Sequence, residues 1–181
     1  PPQALETLLD RDAPKEARDA AMRQLVAHAQ AGDGHSAFYL GALYRQGMDH
    51  PAQLVERDPE TARFWLDKCI GSARCPLIAL ASLAELELAA GNTKPAMQWA
   101  QAWVVLDREL DNRTRGTRPH QNTTDAQYKN TAYHAYLIER GYKAMAKAKD
   151  ADALAREWFD ELRKARGTQL DRMLFAQLEG E

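Results

Sequence analysis

Three Ala-x-x-Trp pairs limit the possible folds of this chain more than any other feature: Ala62 with Trp65, Ala96 with Trp99, and Ala155 with Trp158. The second pair follows the first by 34 residues and the third follows the second by 59, or 34 plus 25. Each pair stands just inside a candidate helix that has its own start signal. A small residue followed one turn later by a large ring suits close helix packing, because the Ala leaves a hole and the Trp fills one. Recurrence at a fixed period points to an array of repeated units. An Ala-rich bundle could carry the same pairs, but periodicity, capping and small-large alternation together favour the array.

Nearly every segment reads as helix, and none alternates with period two for long enough to suggest a sheet. Residues 3–9 form a short candidate with Leu5, Leu8 and Leu9 on one face. Asp12 and Pro14 open a helix over 14–31, closed by Gly32. A helix over 35–46 ends at Gly47. Asp58-Pro59-Glu60 then supplies a carboxylate cap, a proline suited to the first turn and an acid beside the helix dipole. That helix runs to Ile70, Gly71-Ser72 turns the chain, and 75–90 forms the next, ending at Gly91. Asn92 or Thr93 caps a helix to Leu110. Residues 111–124 are polar, hold Gly116 and Pro119, and read as a long exposed loop. A long helix to about Lys149 follows, then one capped by Asp150 or Asp152 as far as Ala165. Gly167-Thr168 separates a last helix over 169–178.

The best-formed unit, 32–69, places Ser36, Leu40-Gly41, Tyr44 and Gly47 on its first helix and Ala62, Trp65 and Cys69 on its second. This pattern resembles a Sel1-like repeat, a relative of the tetratricopeptide repeat. In the second unit Leu83-Ala84 and Glu87 answer to Leu40-Gly41 and Tyr44. The third unit keeps only its Ala155-Trp158 pair. The resemblance implies an all-α, right-handed solenoid of antiparallel helix pairs with about eight or nine helices, each unit burying its face on the next. On that reading the chain is a single domain: leading helices over 3–31, repeats over 32–70 and 73–110, the loop 111–124, a degenerate repeat over 125–166 and a capping helix over 168–178.

Cys69 and Cys75 flank the Gly71-Ser72 turn, a connection able to bring two Cα atoms within the ~4.4–6.8 Å a disulfide needs. Two reduced, buried cysteines in small-residue slots are the alternative. Some secreted Sel1-like proteins staple the same helix junction, with a spacing two residues longer. A lone Cys-x5-Cys lacks the second ligand pair of a zinc site. A disulfide together with the missing initiator Met points to a periplasmic or secreted protein, with the cytoplasm as the alternative.

With 24 Lys and Arg against 26 Asp and Glu, no global basic field draws nucleic acid, and the longest apolar run is far too short to span a bilayer. His28, His35, His50, His120 and His134 are scattered without a metal motif, Ser36 and Ser72 lie in no nucleophile context, and no glycine-rich phosphate loop occurs. No enzyme activity and no cofactor are expected. The resemblance implies a scaffold that holds a protein or peptide in a concave groove. Leu40, Gly41 and Tyr44 would then pack inward, leaving His35, Phe38, Ala42 and Arg45 to face the groove, with Glu85, Leu88 and Ala89 as their counterparts. Arg113, Arg115 and Arg118 suit an acidic partner, although a solvated loop explains them as well. Among Tyr128, Tyr133, Tyr136 and Tyr142, about two are expected at the surface, with Tyr128 and Tyr136 the candidates for contact. An inhibitor or immunity protein against a toxin or hydrolase is the alternative function. A β-lactamase-like envelope enzyme is a remoter one, since no Ser-Lys pair stands in a suitable context.

Overall fold

The computed structural model describes the backbone over 2–114 and 123–179, and the side chains over 3–114 and 130–179. Its described residues contain eight α-helices and no strand. They belong to two compact units, Pro1–Ala79 and Leu80–Glu181.

The first unit holds α1 (Pro2–Leu9), α2 (Lys15–Gln30), α3 (Gly34–Gln46) and α4 (Pro59–Ile70). Pro14 stands at the cap of α2 with ψ 144°, one position earlier than the first-turn place its missing N–H suits. Asp33 caps α3 by accepting from the Ser36 N–H, and Asp58 caps α4 by accepting from the Thr61 N–H, with Pro59 in the first turn. Gly32 and Gly47 close α2 and α3 at φ +99° and +60°. Both angles lie in the left-handed region that a side chain disfavours.

Helices α3 and α4 run antiparallel along each other. A Cβ on Gly41 would stand 2.6 Å from Leu66 Cγ, so the missing side chain lets Leu66 seat directly on the α3 backbone. At the far end of the pair, Asp58 N–H donates to the Tyr44 carbonyl. At the near end the two chain segments 32–34 and 73–75 meet backbone to backbone. Gly34 N–H donates to Ala73 O at 2.7 Å, and Ala73 N–H to Gly32 O. Cys69 and Cys75 are bonded there, Cα to Cα 5.2 Å. The two sulfurs stand at disulfide distance, and Arg74 pairs with the Asp33 carboxylate beside them.

The second unit holds the body of α5 (Ile78–Ala90), then α6 (Thr93–Thr114), α7 (Thr123–Ala144) and α8 (Ala151–Leu178). Helix α6 is its spine. Helix α7 lies antiparallel along one side of α6 and α8 runs parallel to α6 along another, with Lys94, Trp99 and Arg113 meeting Glu161, Arg166 and Phe175 in turn, while α7 and α8 approach each other chiefly around the turn that joins them. There Met97, Met145 and Ala155 form a small core under Tyr142, Leu154 and Trp158. Gly141 faces backward: a Cβ there would meet Met97 Sδ of the preceding helix at 2.5 Å, whereas Gly41 serves the following one.

Several boundaries differ from the sequence expectation: α5 begins at Ile78 rather than at 75, α7 ends at Ala144 rather than near Lys149, and the ends of α6 and α8 differ as well. Helix α6 runs four residues past Leu110, extended by an Arg113–Glu109 pair at 2.7 Å and by the Thr114 hydroxyl donating to Leu110 O. The expected loop 111–124 thus gives its first four residues to α6 and its last two to α7. Residues 115–122, including Arg115, Arg118 and His120, lie outside the described residues. Helix α8 passes through Gly167 and Thr168 without a break. A mid-helix glycine costs about 1 kcal/mol but no backbone hydrogen bond. The stripe Ala155, Leu162, Leu170, Met173 and Leu174 stays buried across it, and Arg166 bonds Gln169 over the gap.

The Ala-x-x-Trp pairs occupy equivalent places. Ala62, Ala96 and Ala155 are fully buried, and each Trp one turn later is largely covered. The first two Ala residues stand four positions after their caps, Asp58 and Asn92, and Ala155 stands five after Asp150.

Candidate interaction faces

Two helical faces remain after the cores have closed. The first lies along α3, where His35, Phe38, Ala42 and Arg45 recur at intervals of three and four and so share one side of the helix. His35 is exposed and the other three are half-buried, while Ala37, Leu40, Gly41 and Leu43 on the neighbouring sides are buried. On α5, Glu85 and Leu88 are half-buried and Ala89 is exposed. Glu87, the counterpart of Tyr44, is buried and accepts from Asn92 Nδ2 at 3.2 Å, which ties the helix end to the next cap.

Behind the α3 face, Tyr39 meets His50 edge-on at 5.5 Å between ring centres. His50 sits in the connection to α4, buried, with its Nδ1 accepting from the Ala52 N–H at 3.0 Å. Burial holds its pKa below the ordinary histidine value and raises that of the Tyr39 phenol. Arg18 of α2 clamps this connection by donating to the carbonyls of Ala52 and Leu8, and Arg11 donates to Pro51 O. The segment between α3 and α4 is therefore a bound strap.

The second face belongs to α7. Its buried stripe is His134, Leu137, Gly141 and Met145. A flanking stripe, Tyr133, Tyr136, Arg140 and Lys143, turns outward. Tyr133 is half-buried and meets Trp103 edge-on at 4.9 Å between ring centres. Tyr136 stacks beside Tyr133 at 6.1 Å with the planes 22° apart and is 47% exposed. Arg140 lies over the Tyr136 ring at 5.3 Å and donates to its hydroxyl at 2.9 Å. An aromatic ladder thus runs from the buried Trp103 to a surface guanidinium.

The ladder stands on a buried polar anchor. Asp107 Oδ2 of α6 lies 2.8 Å from His134 Nε2, off the ring N–H direction, and accepts from Asn130 Nδ2 at 3.2 Å. Both side chains are less than a tenth exposed, and Trp103 packs on His134 at 4.4 Å between ring centres. This carboxylate–imidazole pair faces protein on every described side, an arrangement suited to fixing α7 on α6.

Of the remaining candidates, Arg113 is exposed at the end of α6, pairs with Glu109 and lies 6.0 Å over the Phe175 ring. Tyr142 is half-buried in the core at the α7–α8 turn, where burial and the Asp152 carboxylate raise its pKa. Tyr128 lies outside the residues whose side chains are described, as do Arg115 and Arg118. Sequence reasoning missed Arg140, Asn130 and Asp107. Arg140 was legible as the next outward position after Tyr133 and Tyr136. Asp107 carries no signal of its own, because it sits where the α6 stripe calls for an apolar residue. No group of three or more His, Cys, Asp and Glu able to hold a metal occurs among the described residues, and no described helix is long and apolar enough to cross a membrane.

No protein-family model, curated protein or solved structure matches this chain.

Proposed function

We propose that this chain is a non-enzymatic adaptor of the Sel1-like kind, a right-handed array of helix pairs that holds a protein or peptide segment. The α3 face supports this reading most directly. Leu40, Gly41 and Leu43 are buried and Tyr44 is half-buried, while His35, Phe38, Ala42 and Arg45 share another side of α3, His35 exposed and the other three half-buried. A helix whose core is already satisfied, yet which keeps an aromatic ring and a guanidinium on its outer side, offers anchors of the type that dominate protein recognition. The complete burial of Ala62, Ala96 and Ala155, each near the start of its helix, supports the array.

The Cys69–Cys75 bond supports folding in an oxidising compartment, the periplasm or outside the cell. In the native host, alkylation before and after reduction would report two masked thiols in the envelope fraction.

The groove is tested by changing Phe38 and Arg45 together to Ala and selecting peptides from a displayed library against both proteins. Ligands of the parent chain lose affinity for a double variant that keeps its helical circular dichroism. Equal binding to the two proteins removes the α3 face from the site.

A further inference from the structure

The stretch 130–149, which joins the part of α7 with described side chains to the turn after Ala144, differs in charge from the rest of the molecule. Residues 130–149 carry Arg140, Lys143, Lys147 and Lys149 against the single acid Glu139, leaving twenty cations and twenty-five carboxylates elsewhere. A run of cations on a helix is ordinarily a solvated face. Here three observations set it apart. Its guanidinium is not paired to a carboxylate among the described residues; it rests on the Tyr136 ring and spends one N–H on the Tyr136 hydroxyl. The ring beneath is half in water and stacked on Tyr133, whose own edge meets the buried Trp103. Finally, the helix is pinned to α6 by the His134–Asp107 contact and the Asn130 hydrogen bond. Lys143 reaches only Glu139, at 3.1 Å, an exposed pair that contributes little and opens readily to a competitor.

A stiff aromatic step with a cation already placed on it has lost its conformational freedom before binding, so less is lost when a ligand arrives. The remaining guanidinium N–H groups match a carboxylate in fork geometry, and the Tyr136 ring offers an apolar surface beside it. We infer that the Tyr133–Tyr136–Arg140–Lys143 face of α7 docks an acidic peptide segment of a protein partner, a Glu or Asp on Arg140 and an apolar side chain on the Tyr136 ring. This rests on the adaptor reading and adds the chemistry of the partner and a second contact surface, separate from α3.

The test uses the full chain and a random peptide library. Selected peptides should show an excess of Glu and Asp over Lys and Arg, together with an aliphatic or aromatic residue. A dye-labelled copy should lose affinity roughly tenfold or more in Arg140→Glu and measurably in Tyr136→Ala, by fluorescence anisotropy. Affinity should also fall with added salt. Circular dichroism and Trp fluorescence verify that both variants stay folded; Arg140→Gln serves in place of either that does not. Selected peptides without acidic excess, or binding unchanged in Arg140→Glu and Tyr136→Ala, overturn the inference. If those peptides instead lose affinity for Phe38→Ala/Arg45→Ala, the adaptor reading stands while the α7 site fails. A library that yields no ligand overturns both. Tighter Arg140-dependent binding of a single-stranded oligonucleotide than of any selected peptide reassigns the face to nucleic acid.

Discussion

At the scale of single residues, the two buried histidines do opposite things with their ring nitrogens. His134 holds its Nε2 against a carboxylate, and His50 offers its Nδ1 to a backbone N–H. Removing the imidazole leaves the Asp107 carboxylate buried with one polar neighbour fewer, at a cost of roughly 1–3 kcal/mol, whereas replacing both partners by apolar residues of similar volume is often neutral. His134→Ala should therefore lower the urea unfolding free energy by about that amount, and Asp107→Leu/His134→Leu should recover most of it. Additive losses in the double variant would show that the pair is not the anchor described. The His50 contact sets a pH dependence. Its folded pKa is depressed, so on acidification the unfolded chain takes up a proton from around pH 6.5 while the folded chain resists. The stabilising contribution is complete above about pH 6.5 and is lost as the pH falls toward the folded value. A protonated Nδ1 can no longer accept from Ala52 N–H. The urea midpoint should fall between about pH 7 and pH 5, and His50→Gln, which keeps an acceptor, should fall less over the same window. An equal loss in both proteins would place the titration elsewhere.

At the scale of elements, the junction of α4 with the following turn combines a disulfide, a two-way backbone contact and an ion pair within residues 32–75. Closing the small ring between Cys69 and Cys75 should contribute roughly 2–2.5 kcal/mol through the unfolded chain. Cys69→Ala/Cys75→Ala should lose about this much by urea titration at unchanged helix content. The small value follows from the short loop, and a much larger loss would mean that the bond also shapes the native contact. The α3–α4 pair was legible in part: Gly47 and Asp58-Pro59-Glu60 mark its far end and the two cysteines mark this junction through short-range signatures, whereas the Gly34–Ala73 contact and the Arg74–Asp33 pair join segments distant in sequence. The ends of α6 and α8 were less so. Thr114 and Arg113 prolong α6 through i,i+4 contacts that a polar, glycine-rich neighbourhood conceals, and Gly167 reads as a stop although the stripe around it stays in register. The interaction faces were legible in part. Tyr136 and Phe38 could be placed on helical sides from spacing alone, but the ring beneath Arg140 and the carboxylate beneath His134 come from pairings of side chains that no local pattern encodes.

At the scale of the whole molecule, the two compact units solve the same packing problem in different ways. In the first, α3 and α4 lie along each other and share the glycine contact at Gly41 and Leu66. In the second, α6 serves as the common neighbour of α7 and α8, and the glycine at 141 serves that spine. If the chain is an array in which each element depends mainly on its neighbours, damage in one unit should remain local. Gly34 is the place to introduce it. A Cβ there would stand 2.4 Å from Ala73 O and 2.6 Å from Cys75 N, both backbone atoms that cannot swing aside. Gly34→Ala should cost about 1–3 kcal/mol through forced displacement of that contact. Native-state hydrogen exchange should then show protection lost across α2, α3 and α4 and kept across α6, α7 and α8. A uniform loss over all of these helices would mean that the chain unfolds as one cooperative body, and the repeat description would then hold for its sequence pattern alone.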